Sequence, residues 1–131
     1  MHVTALYAAT LGLLFFVLSV RTISLRQKLQ VGVGDGGSME LLRAMRVHSN
    51  FAEYVPITLI LLYLLEAAGG NHTLVHALGG FLFLGRLSHA WGVSQVSENL
   101  KFRIFGMALT FTALVGSSVG LLVLQVLRPA Q

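Results

Sequence analysis

The chain has 131 residues, 55 % of them apolar and only 11 % charged, with a mean hydropathy of +0.77. Soluble domains carry about 25 % charged residues, so this composition excludes an ordinary water-soluble enzyme and indicates one integral membrane domain over residues 1–131. The net charge of +4 and pI near 10.1 do not signal nucleic-acid binding, because the basic residues flank apolar runs instead of alternating with exposed aromatics.

The first apolar segment runs from about Val3 to Val20 and ends at Arg21. It lacks the basic start and small-residue cleavage site of a signal peptide, so it reads as a membrane span. Residues 21–46, "RTISLRQKLQVGVGDGGSMELLRAMR", read as a long, basic, glycine-rich loop. Within it "GVGDGG" matches G-x-G-x-x-G in form only. A membrane span precedes it, not a strand, and the nucleotide-binding reading fails that test.

The second span covers about Asn50 to Ala68, with Pro56 inside it expected to kink the helix. After the short turn "GGNH", a third span runs from Leu74 to Val93. His72 and His76 have metal-ligand spacing but no third ligand, so they read as an interfacial helix start and no metal site is expected. The linker "SQVSENLKFR" leads to a fourth span, about Ile104 to Leu127. In it "GSSVG", Gly116 to Gly120, suits close helix packing or an oligomer contact equally well. Each segment is near the roughly 20 residues that cross a bilayer. The fold class is therefore all-α: an up-down-up-down four-helix transmembrane bundle. Arg21, Arg26, Lys28, Arg43, Arg46, Lys101 and Arg103 flank the first and third loops, which places both loops in the cytoplasm and both termini outside.

Charged side chains within spans cost several kcal/mol unless they face a partner or a watery cavity. Arg46, Asn50 and Glu53 fall at i, i+4 and i+7, on one helix face, followed by Ile57, Ile60 and Leu64. Arg86 and His89 share a face of the third span, and Arg103 opens the fourth. All of these lie toward the same, cytoplasmic, end. A structural salt-bridge network would need fewer arginines. Their excess over acid suits a ligand with carboxylates, while Glu53 and Asn50 suit its ammonium or amide.

"RVHSNFAEYVP" resembles the R-x-x-x-N-x-x-E-[YF]-x-P signature of the MAPEG superfamily, the membrane-associated proteins in eicosanoid and glutathione metabolism. "GRLSHAWG" is similar to the third-helix segment of its prostaglandin-forming branch, and "LRQKLQVGVGDGG" to the first loop of bacterial members. The resemblance implies a homotrimer with glutathione bound as cosubstrate between neighbouring subunits. By that likeness Arg46, Asn50 and Glu53 hold glutathione, with Tyr54 beside them, and Arg86 and His89 line the site. Arg26, with Arg21 as the alternative, reaches a glutathione carboxylate, and Arg103 is the catalytic residue that stabilises the thiolate. The chain departs from the pattern at Ser49, at Val93 in place of a tyrosine, and around Gly106 and Met107 in place of an aromatic.

Two functions follow. One is a glutathione transferase or peroxidase of the bacterial inner membrane, acting on an apolar or lipid-derived second substrate. The other is a non-catalytic accessory protein that binds lipid or glutathione. There is no G-x-S-x-G for a serine nucleophile, and four short spans without an inverted repeat do not suit a transporter.

Overall fold

The computed structural model describes residues 2–95 and 100–127. Four helices alternate in direction: α1, Val3–Leu29; α2, Met39–Ala67; α3, His72–Ser94; and α4, Leu100–Leu127. Helices α2 and α3 sit side by side at the centre. Helix α1 packs on one side of that pair and α4 on the other, with α3 and α4 the most closely apposed.

The segment between the first two spans is shorter than its glycine content suggests. Helix α1 continues through Arg21, Arg26 and Lys28, and α2 already begins at Met39, so only residues 30–38 form the loop. Gln30 takes a left-handed conformation that ends α1, and Gly34, Gly36 and Gly37 supply the positive φ that turns the chain. Ser38 then caps α2 by accepting a hydrogen bond from the Leu41 backbone N–H. Loop residues of this type obscure helix starts in sequence because the cap alone marks them. Helix α2 runs unbroken past Pro56, which faces outward.

By length and apolarity α1, α2 and α4 each qualify as membrane spans. Helix α3 falls short of that measure because it carries Arg86, His89 and His76 in an otherwise apolar run. It is nonetheless the most enclosed helix, with Arg86 and His89 buried.

The bundle buries polar groups among a leucine- and valine-rich core and still presents many large apolar side chains outward, as expected where lipid is the solvent. Thr58, Arg86, Thr110 and Ser117 are buried, whereas Leu13, Phe16, Ile104, Leu122 and Val126 point outward. Glycine sets the crossing of α3 and α4. A Cβ on Gly106 of α4 would lie 2.6 Å from both the Gly85 carbonyl oxygen and the His89 backbone nitrogen of α3. Neither backbone group can yield cheaply. Gly106→Ala is expected to push α3 and α4 apart and cost about 1–2 kcal/mol, read as a lower melting temperature in detergent. An unchanged melting temperature would contradict this close crossing. The "GSSVG" segment packs within the protomer, Gly116 against Leu78 of α3 and Gly120 against Leu65 of α2.

The far end of the bundle is tied by a carboxylate. His2, the residue before α1, provides no side-chain cap. Instead Glu66 of α2 accepts hydrogen bonds from the Val3 and Thr4 backbone N–H groups at 2.5 and 2.9 Å. An anion there satisfies donors that lipid could not and complements the positive end of the helix dipole. Glu66→Gln keeps one acceptor but loses the charge, and should cost about 1 kcal/mol, with faster amide exchange at residues 3–5 as the local readout.

Candidate functional site

Opposite that end, the N-terminal half of α2, the C-terminal end of α3 and the start of α4 enclose an open groove of about 190 Å3. Helix α2 contributes Arg43, Arg46, Asn50 and Glu53 along one stripe. Helix α3 adds His89 and Val93, and α4 adds Arg103, with Met39 and Leu42 at the rim. Among the described residues, three arginines therefore face one carboxylate. Such a lining attracts anions, and Glu53 offers an acceptor for a cation.

The stripe on α2 faces away from the core of its own protomer. Core contacts of α2 come from Leu41, Ala44, Val47, Phe51, Val55, Leu62 and Leu65, whereas Arg46 and Glu53 are exposed. Ile57, Ile60 and Leu64 continue the stripe as an exposed apolar band. Arg46 and Glu53 thus sit on a side wall of the bundle, while Arg43 and Asn50 are half-buried against α3.

Beneath the groove lies Arg86, 1 % exposed. Its Nη1 donates to Asn50 Oδ1 at 2.7 Å, and Nη2 approaches the Met107 sulfur at 3.8 Å. Asn50 is thus held from behind by α3 rather than left unpaired.

Two more arginines secure the end of α3, which has no basic residue in its own last turn. Arg43 donates to the Val93 carbonyl at 3.2 Å. Arg21 of α1 donates to the Ser94 hydroxyl, which in turn donates to the Ala90 carbonyl. Cations at a helix C-terminus offset the negative end of its dipole, so these contacts fix the wall that carries His89 and Val93.

Of the residues singled out in the sequence, the structure brings Arg46, Asn50, Glu53, His89 and Arg103 to one groove, with Arg86 behind it. Arg26 lies elsewhere in the protomer, donating to the Gly32 carbonyl at 3.1 Å in the loop after α1. Arg21, its alternative, is engaged with Ser94. Tyr54 is off the groove, its ring edge-on to Phe111 of α4 at 5.5 Å. His76 meets the Tyr7 hydroxyl at the other end of the bundle, 3.3 Å from Nδ1. Arg43 was missed by sequence reasoning, although it continues the same stripe three residues before Arg46. Reading residues 21–46 as loop cut the stripe short.

Arg103 also borders a second, apolar groove of about 490 Å3 on the outer face of α4, with Ile104, Met107, Ala108 and Phe111. A cation therefore stands at the junction of a polar groove and an apolar one.

The MAPEG family model matches residues 4–123. The inner membrane protein YecN of Escherichia coli K12 is 38 % identical over 113 residues, covering 86 % of this chain and 85 % of that protein. The protein of the same name from Escherichia coli O6:H1 matches to the same extent. The chain belongs to the MAPEG family.

Proposed function

We propose that the protein binds glutathione in the arginine-lined groove and uses it as cosubstrate against an apolar electrophile or a lipid hydroperoxide. One observation carries this reading: among the described residues, three arginines, one carboxylate and one oriented amide line a single groove whose last arginine also borders an apolar groove on the outer face of α4. Glutathione has two carboxylates, an ammonium and two peptide groups. The arginines match the carboxylates, Glu53 the ammonium, and Asn50 a carbonyl or carboxylate. A thiol near pKa 8.5 is mostly protonated at neutral pH, and a nearby cation favours the reactive thiolate. Arg103 supplies that cation, and the apolar groove on α4 lets a membrane-dissolved substrate approach it.

The outward stripe of α2 supports assembly as well. Polar groups on a side wall within a membrane call for cover, which a neighbouring copy of the chain provides in a homotrimer. The same copy would bring a further arginine, Arg26 or Arg21, to the ligand. By analogy with YecN the membrane is a bacterial inner membrane, with the groove end toward the cytoplasm. The chain has no cysteine, so single cysteines report topology directly. Val33→Cys, at a position 93 % exposed, should label from the cytoplasmic side, and His72→Cys from the opposite side. Labelling of both from one side would contradict the orientation.

Titration of the protein in lipid nanodiscs with glutathione tests the reading. Saturable binding, competed by S-hexylglutathione, is expected. Absence of binding would overturn it. A second reading, a non-catalytic accessory protein, is favoured by Val93, which lines the groove where the prostaglandin-forming branch has a tyrosine. Binding without thiolate formation would select it.

A further inference from the structure

We infer that Arg86 is a positioning residue that locks the Asn50 amide with its NH2 group toward the groove, so that this point of the site receives an acceptor of the ligand, a carboxylate or carbonyl. The inference rests on the proposed ligand class but starts from chemistry internal to the protein. A guanidinium has donors only, so the atom of Asn50 that accepts from it must be the amide oxygen. That assignment follows from the partner and leaves no freedom to rotate the amide. With Oδ1 held 2.7 Å from Arg86 Nη1, the Asn50 NH2 is the group left for the groove that Asn50 lines.

The charge beneath strengthens the preference. Arg86 is almost fully buried, its Nε has no hydrogen-bond partner, and among the described residues no carboxylate lies within 4 Å of it. A buried cation without a counter-ion raises the potential at the groove floor and favours an anion there. The sequence alone suggests that Asn50 faces an ammonium or an amide of the ligand. The Arg86 contact narrows this: Asn50 presents a donor that suits an amide carbonyl or a carboxylate, and the ammonium is left to Glu53.

The test separates positioning from packing and from the ligand assignment. The side-chain NH2 signals of the three asparagines are followed by 15N NMR in detergent, with Asn50→Ala to assign the Asn50 pair. Arg86→Met, which fills similar space without donors, should shift that pair. Arg86→Lys, a donor and a cation, should keep it near its wild-type position. Glutathione affinity should fall by at least about tenfold in Arg86→Met and recover most of that loss in Arg86→Lys. The melting temperature of Arg86→Met should be no lower than wild type, because an uncompensated buried charge is removed. Asn50→Asp offers Arg86 a counter-ion yet lacks the NH2, so it should fold stably and bind glutathione at least about tenfold more weakly. If the Asn50 signals do not respond to Arg86→Met, the positioning role is overturned whatever the ligand. Unchanged affinity in Arg86→Met would overturn it equally. If the signals respond but the wild type binds no glutathione, the positioning stands and the ligand assignment fails.

Discussion

Glu53→Gln is expected to weaken glutathione binding by about 1.5–3 kcal/mol, roughly tenfold to a hundredfold in Kd, while leaving the fold intact. Glu53 is exposed on the α2 stripe and makes no contact with the core, so the substitution has little to disturb within the protomer. It keeps the shape and one acceptor of the side chain but removes the carboxylate that, among the described residues, lines the groove. The loss is that of a charge-assisted hydrogen bond to the ligand ammonium. An analogue of glutathione without the amino group should bind wild type and variant equally. Isothermal titration of the four combinations checks this directly, and equal affinity of both proteins for glutathione itself would mean that Glu53 balances arginine charge and touches no ligand.

Arg103→Ala is expected to act on chemistry instead of binding. The side chain stands at the first turn of α4, exposed, at the border of the polar and apolar grooves. On the proposed reading the remaining groove arginines and Glu53 would still hold the tripeptide, so the glutathione Kd should change less than about threefold. Without a cation beside the sulfur the thiolate fraction falls, and kcat should drop by about 10²–10³, the range seen when one charge-stabilising donor is removed. Stopped-flow turnover with an apolar electrophile, together with a binding titration, gives both numbers. A variant that loses binding and turnover in parallel would show that Arg103 holds the ligand like the other arginines.

The membrane class, the four helices and their alternating order were legible because apolar runs near bilayer length leave few alternatives. The i, i+4, i+7 spacing of Arg46, Asn50 and Glu53 likewise fixed their common face. Three features were not legible. The glycine-rich segment hid the starts of helical turns, so Arg43 and Met39 were lost from the stripe although they continue its spacing. Arg86 looked like another ligand-facing arginine, whereas its burial behind Asn50 is a tertiary fact that spacing cannot carry. Glu66 showed no local cue at all. Its role as a cap for α1 depends on two helix ends, 62 residues or more apart in sequence, meeting at the far face of the bundle. That the α2 stripe points out of the protomer was hidden for the same reason, since periodicity shows which residues share a face but not what covers it.

If the groove binds glutathione and ionises it, the ultraviolet absorbance of the thiolate reports both at once. Purified protein in nanodiscs, mixed with glutathione at neutral pH, should develop a saturable thiolate band that S-hexylglutathione abolishes and that Arg103→Ala does not produce. No band from the wild type, with glutathione bound by titration, would contradict the catalytic account and leave a binding protein in its place.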